Sequence, residues 1–258
     1  MAEARSSDFI QSLERGLAVI NSFSREHTRQ TLSEVAGRTG LTRATARRIL
    51  LTLADLGYVH QDGRDFQLTP RVLDLGYSFL SSFHVVELAQ SSMERLVDEV
   101  KESSSMSVLD GSEIVYVARV PTSRIMTIAL ALGSRLPAYP TSMGRVLLAG
   151  LADDEVDDYI RRTKFEQLTP HTIVDPKAFR AVIDKTRAEG FTLVDQELEE
   201  GVRSIAAPIR NGRGDVIAAI NVSCHASRVD VKRMLGDFRP KLLATAAEIS
   251  DRAGALRV

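Results

Sequence analysis

Along the chain the apolar residues first recur with a helical period. In "FIQSLERGLAVINS" (9–22), Phe9, Leu13, Leu17 and Ile20 share one face, with Ile10 and Val19 beside them, which predicts an amphipathic helix. "TLSEVAGRTG" offers Leu32, Val35 and Ala36 as a short apolar face behind the cap-like Thr31, and Gly40 suits a tight turn. Thr42 is a good N-cap for a third helix, Arg43 to about Leu56, with Ala46, Ile49, Leu50, Leu53 and Leu56 as its core face. Then the period changes. "GYVHQDGRDFQLTP" sets Tyr58 and Val59 against Phe66 and Leu68 across Asp62-Gly63, a hairpin signal. Helix, turn, helix and hairpin over 9–69 is the order of a winged helix-turn-helix.

From 70 to 102 the helical period returns, at Val72, Leu73, Leu75, Phe79, Leu80 and Phe83, then at Leu88, Met93, Leu96, Val97 and Val100. It predicts two helices, about 70–82 and 85–102; the first serves equally as a core helix or a dimer contact. Beyond them, strand-like and helix-like segments alternate. "SMSVLD", "EIVYVARV" and "IMTIALAL" predict strands, with Asp110-Gly111 turning between the first two. "SMGRVLLAGL", "ADDEVDDYIRR" and "DPKAFRAVIDKTRAEG" predict helices; "FTLVDQE", "VRSIAAPIR" and "DVIAAINVSC" return to strand, with "NGRGD" a turn. A final helix is predicted from about Val229 to Ala253. The fold class is therefore α+β: a winged helix-turn-helix over 9–69, a linker helix over 70–84, and an α/β domain with a largely antiparallel sheet over 85–258.

Composition narrows the function. At 258 residues the chain is long enough for one large domain or two smaller ones, each with a core. "MAEARSSDF" has no signal-peptide character, and apolar runs such as Ile128–Leu132 and Val216–Ile220 are too short to span a membrane. The lone Cys224 cannot form an internal disulfide, so a cytoplasmic protein without a membrane partner is expected. With a net charge of −1, a nucleic-acid site must be a local patch.

Such a patch exists. Between Glu34 and Asp55 there is no carboxylate, while Arg38, Arg43, Arg47 and Arg48 fall in that stretch. A carboxylate there would face phosphates. The polar face at the start of the third helix carries Thr42, Arg43, Ala44, Thr45, Arg47 and Arg48, and Arg64 sits at the hairpin tip. Arginines on a helix are also an ordinary solvated surface. The preceding short helix, the glycine turn and the hairpin favour a DNA reader, and arginine's planar fork pairs with guanine or phosphate at two points.

Signatures of catalysis are missing. The sequence has no phosphate loop, no G-x-S-x-G elbow, no dinucleotide fingerprint and no histidine pair at zinc spacing. Cys224 and His225 are strand neighbours whose side chains point to opposite faces. No enzyme activity, catalytic residue, metal or cofactor is expected. A constitutive architectural DNA-binding protein is the competing class, and the large second domain argues instead for a ligand-responsive regulator.

"SLERGLAVINSFS…TLSEVAGRTGLTRATARRILLTLADLGYV" resembles the N-terminal domain of the IclR family of bacterial transcriptional regulators. The likeness continues through "LPAYPTSMGRVLLA", "GFTLVDQELEEGVRSIAAPI" and "VIAAINVSCHASR". The phrase "DFIQSLERGLAVI" is most similar to the branch of PcaR, PcaU and PobR, which controls breakdown of protocatechuate and 4-hydroxybenzoate through the β-ketoadipate pathway. This resemblance implies a GAF-like effector domain, operator DNA as partner, a homodimer or tetramer, and a small organic acid, aromatic or β-ketoadipate-like, as effector. It also implies that the ligand lies against the sheet, held by the loop before a short helix. That loop is "PTSMGRV", where the N–H groups of Ser142, Met143 and Gly144 at a helix start suit a carboxylate. Asp195, Val202 and Ser204, then Asn221 and Ser223, match the neighbouring strands, and Ile125 and Ile128 an apolar wall. Ser204, Asn221 and Ser223 are equally read as hydrogen-bonded sheet residues. An acid also wants a cation: Arg119, Arg124, Arg203 and His225 are candidates, with Arg203 alternatively paired to Glu199 or Asp195.

Overall fold

Val19, Val35, Ala46, Leu50, Val59 and Phe66 are buried against one another, and this small core organises the N-terminal elements. The computed structural model describes residues 8–122 and 130–255. It divides into two units, one ending at Ser82 and the other beginning at Phe83. In the first, helix α1 (Gln11–Asn21) is followed by strand β1 (Arg29–Thr31), α2 (Leu32–Thr39), α3 (Arg43–Asp55), β2 (Val59–Asp62) and β3 (Asp65–Leu68). Thr31 and Glu34 form a reciprocal capping box at the start of α2, with the Thr31 N–H donating to the Glu34 carboxylate at 2.7 Å. Those bonds hold the Glu34 carboxyl below the usual carboxylate range. Gly40, at φ +66°, makes the turn that side chains with a Cβ resist. Thr42 Oγ1 then accepts the Thr45 N–H at 3.2 Å and starts α3.

Thr42→Ala removes that acceptor, and the expected cost is about 0.5–2 kcal/mol of stability, with Thr42→Ser close to neutral. Thermal denaturation of the pair tests the cap.

The hairpin turns at Gly63 (φ +59°) and, with β1 added, forms a sheet in the order β1-β3-β2. Strand β1 was not predicted, because three residues are too few to show alternation. Helix α1 departs further from expectation. Only Val19 is buried and Ile20 partly so, whereas Phe9, Leu13 and Leu17 are largely exposed. A core this small covers the end of α1 and leaves the rest of its apolar face open. A 3-10 turn (Pro70–Val72) leads into α4 (Leu73–Ser82), where Leu73, Leu75, Tyr77 and Phe79 are exposed.

The second unit begins with α5 (Val85–Val100), β4 (Ser103–Asp110) and β5 (Glu113–Val120). It continues with β6 (Arg135–Pro137), α6 (Ser142–Ala149), α7 (Asp153–Arg162), α8 (Pro176–Glu189), β7 (Thr192–Asp195), β8 (Val202–Arg210) and β9 (Val216–His225). Its sheet has the order β6-β5-β4-β9-β8-β7 with every pairing antiparallel. Helix α6 packs on β4, β8 and β9, and α8 packs behind it. By alternation, Met106, Ile205, Ala207, Ile220 and Val222 point to the other face and are fully buried beneath α5 and the C-terminal helix.

Two expectations need correction here. The predicted strand 125–132 lies mostly outside the described residues; its described end, 130–132, is not strand, and the start of β5, Glu113–Val115, pairs with β6. The single helix predicted from Val229 to Ala253 is a composite: α9 (Val231–Arg233), a π turn (Met234–Phe238) and α10 (Arg239–Ala255). Pro240 explains it. The proline has no N–H for the carbonyl four residues back and its ring crowds that carbonyl, so the preceding turn winds wider. Among the described residues no helix is long and apolar enough to cross a membrane.

Candidate functional site

At the start of α3, Thr42, Arg43, Ala44 and Arg47 are exposed, and Arg38 is exposed at the end of α2. Arg64 is exposed at the hairpin tip. None of Arg38, Arg43, Arg47, Arg48 or Arg64 makes a salt bridge or side-chain hydrogen bond among the described residues, so these guanidinium groups are available. Thr45 and Arg48 sit differently. They line the flank of α3 that borders an apolar groove with α1, alongside Leu13, Leu17, Ile20, Ile49 and Leu56.

In the second unit, six residues predicted from sequence meet around one cavity of about 40 Å³: Ser142, Met143, Val202, Ser204, Asn221 and Ser223. Strand register brings them there. Ser204 lies opposite Ser223, and Asn221 opposite both Ser105 and Ala206. Ser142 Oγ and Ser204 Oγ share a hydrogen bond at 2.9 Å. Asn221 Oδ1 accepts the Ser105 N–H at 3.0 Å, which fixes the amide and leaves its NH₂ group to donate elsewhere. In the first turn of α6, the Gly144 N–H is taken by Thr141 Oγ1 and the Arg145 N–H by the Thr141 carbonyl. The N–H groups of Ser142 and Met143 precede them and have no partner within the helix.

Gly144 is therefore not a ligand donor. Its place is packing: a Cβ there would lie 2.1 Å from the Ala138 carbonyl oxygen, so only glycine lets α6 approach that loop. Arg203 and Asp195 also leave the site. Arg203 alternates with Ser204, so it points to the opposite face, where it pairs with both Asp195 oxygens at 2.8 Å and donates to the carbonyls of Ala226 and Val229. Ile125, Ile128 and Arg124 lie outside the described residues. Arg119 and His225 do not line the cavity, and His225 is engaged with Ser227 at 2.7 Å. Among the described residues the lining carries no charge, so the expected cation is not found.

Sequence reasoning missed much of the wall. Tyr116, Leu130 and Leu136 supply one side, and Thr141, Val194 and Leu198 complete the rim. It also missed the buried pair behind the cavity. Arg145 donates from Nη1 and Nη2 to the two Glu197 oxygens at 2.7 and 2.6 Å, and from Nε to the Tyr139 carbonyl at 2.9 Å. Glu197 also accepts the Ile173 N–H at 3.0 Å. A helical arginine and a loop glutamate far apart in sequence give no local signal of pairing.

A helix-turn-helix and a sheet-backed cavity in one chain have known counterparts. The IclR helix-turn-helix domain matches residues 12–63, and the bacterial transcriptional regulator IclR C-terminal domain matches residues 77–251. The chain belongs to the IclR family. As an IclR protein it is a bacterial transcriptional regulator with a DNA-binding and an effector-binding domain. Among its relatives, the Pca regulon regulatory protein of Pseudomonas putida is 43% identical over 243 residues, covering 94% of this chain and 84% of that protein. The p-hydroxybenzoate hydroxylase transcriptional activator of Acinetobacter baylyi is 38% identical, covering 96% of this chain and 93% of that one. A solved transcriptional regulator from Rhodococcus sp. RHA1 superposes with a TM-score of 0.87 at 53% identity, covering 96% and 100% of the two chains. An IclR homologue of Microbacterium hydrocarbonoxydans, solved with 4-hydroxybenzoate, shares the fold at a TM-score of 0.85 and 24% identity, covering 95% and 99%.

Proposed function

We propose that this IclR regulator controls aromatic-acid catabolism by binding operator DNA through 9–69 and a small organic acid through 85–258, with 70–84 as the linker. The observation that carries the reading is the convergence of Ser142, Ser204, Asn221 and Ser223 on one neutral cavity at the start of α6. Unpaired N–H groups at a helix start receive a carboxylate, and the hydroxyls and the Asn221 amide complete its hydrogen bonds. The relatives named for the Pca regulon and for p-hydroxybenzoate hydroxylase support an aromatic acid as the effector class. A cavity of about 40 Å³ admits a few water-sized groups and not a ring. Ligand entry therefore moves the walls, and that movement couples occupancy to operator affinity. The exposed apolar residues of α1 and α4 fit a homo-oligomer working in the cytoplasm, whose paired α3 helices read a two-fold operator.

The test pairs two measurements on the full chain. Asn221→Ala and Ser204→Ala are expected to weaken 4-hydroxybenzoate or protocatechuate binding by about tenfold or more, since buried polar partners lost on one side cost about 1–3 kcal/mol. Ligand-free operator binding should hardly change. Equal losses in calorimetric ligand affinity and in operator affinity would assign these side chains to fold stability alone.

A further inference from the structure

Tyr116 lines the effector cavity with only 5% of its surface exposed; no hydrogen bond of its hydroxyl is found among the described residues, and the hydroxyl oxygen keeps accessible surface. Buried phenol oxygens ordinarily find a partner. Tyr139 in the same domain does so: its hydroxyl donates to the Glu166 carbonyl at 2.7 Å and accepts the Glu166 N–H at 3.1 Å. The cross-strand neighbour of Tyr116, Ser107, gives its hydroxyl hydrogen to Met143 Sδ at 3.4 Å. The Tyr116 backbone is pinned on both sides, the N–H donating to Ser134 and the carbonyl accepting from Gly133.

The position matters as much as the vacancy. Tyr116 stands on β5, separated by β4 from β9 and by β4 and β9 from β8. Tyr116 pairs with Ser107, which lies opposite Ala219, so it is two strands across from Asn221 and offset from it by two residues along the strands, a backbone separation of more than about 10 Å, with Ser223 and Ser204 farther along. Met143, Leu130 and Leu136 supply apolar surface between the two polar ends. The cavity thus has hydrogen-bonding groups at β8, β9 and the start of α6, an apolar middle, and a phenol opposite.

We infer that Tyr116 is a specificity-determining residue that hydrogen-bonds a hydroxyl on the ring of an aromatic carboxylic acid held with its carboxylate toward Ser142, Ser204 and Asn221. The inference rests on the effector reading above and narrows it to hydroxyaryl acids. Burial pushes the Tyr116 phenol up to about 12, so it stays protonated at neutral pH and keeps a hydrogen to donate. A ligand lacking the ring hydroxyl leaves the phenol desolvated and unpaired, which is how buried polar groups discriminate.

The test is calorimetry on the full chain with benzoate, 3-hydroxybenzoate and 4-hydroxybenzoate, for the native protein and Tyr116→Phe. Phenylalanine keeps the ring and removes only the oxygen, and a thermal melt within a few degrees of the native one shows that the variant is folded. The native protein is expected to bind at least one hydroxybenzoate at least tenfold more tightly than benzoate, and Tyr116→Phe to erase that gap, weakening the hydroxybenzoate and relieving the penalty on benzoate. A gap that survives in Tyr116→Phe, or a native protein that binds benzoate as tightly as the hydroxybenzoates, overturns the role of Tyr116 and leaves the cavity reading in place. If none of the three acids binds the native protein, the aromatic-effector reading itself fails and the inference with it.

Discussion

Arg145→Ala is expected to destabilise the effector domain by about 3–5 kcal/mol, the penalty for leaving a buried charge without its partner. Arg145 and Glu197 are each more than nine-tenths buried. The guanidinium spends Nη1 and Nη2 on Glu197, Nε on the Tyr139 carbonyl, and its face on the Phe179 ring at 5.8 Å. Glu197 in turn holds the Ile173 N–H. One ion pair therefore ties α6 to the loop before it, to the loop after β7 and to the segment leading into α8. Removing the arginine frees all of these at once. Glu197→Ala should cost a similar amount. The double change Arg145→Met with Glu197→Leu should cost less than either single truncation, because apolar groups of similar volume leave no charge to solvate. Denaturant unfolding of the three variants decides it. A loss below about 1 kcal/mol for Arg145→Ala would show that the buried pair contributes little beyond filling space.

The same pair marks where the sequence stopped being informative. Elements set by local chemistry were legible: the caps at Thr31 and Thr42, the αL glycine at 40, and the hairpin at Asp62-Gly63 all carry their cause within a few residues. So was the shared face of Asn221 and Ser223, because strand periodicity is two. What escaped depended on contacts far apart in sequence. Arg203 was open to two readings, a ligand cation or an ion pair with Glu199 or Asp195; the structure shows the pair with Asp195, and the further bonds to the carbonyls of Ala226 and Val229, more than twenty residues on, were not legible. Nothing in "EIVYVARV" singles out Tyr116, and only the fold brings it to the cavity that Ser204 also lines. The π turn before Pro240 had a local cause, yet helical periodicity tolerates one wide turn and so concealed it.

Arg43→Ala and Arg47→Ala should each weaken operator binding by roughly 1–3 kcal/mol per lost base contact and relax preference at one base position. The two residues are four apart on α3, so they lie on one face, exposed and without a salt bridge among the described residues. A guanidinium with no internal partner loses little on leaving the surface, so its bidentate contact with a guanine edge is not offset by a broken ion pair. In a homodimer each change is felt in both half-sites, and the double variant should be reduced to binding of the non-specific kind. Arg64 and Arg48 are expected to behave differently. Arg64 at the hairpin tip suits a phosphate, so Arg64→Ala should lower affinity for all sequences alike and reduce the salt slope by about one. Arg48 borders the apolar groove with α1, and its loss should have the smallest effect on base preference. Fluorescence anisotropy against the operator, single-base variants and unrelated DNA, over a range of salt, separates these behaviours. If Arg43→Ala and Arg47→Ala both leave affinity and preference unchanged, α3 does not enter the groove with this face, and the apolar flank shared with α1 would have to be reconsidered as the surface turned toward DNA.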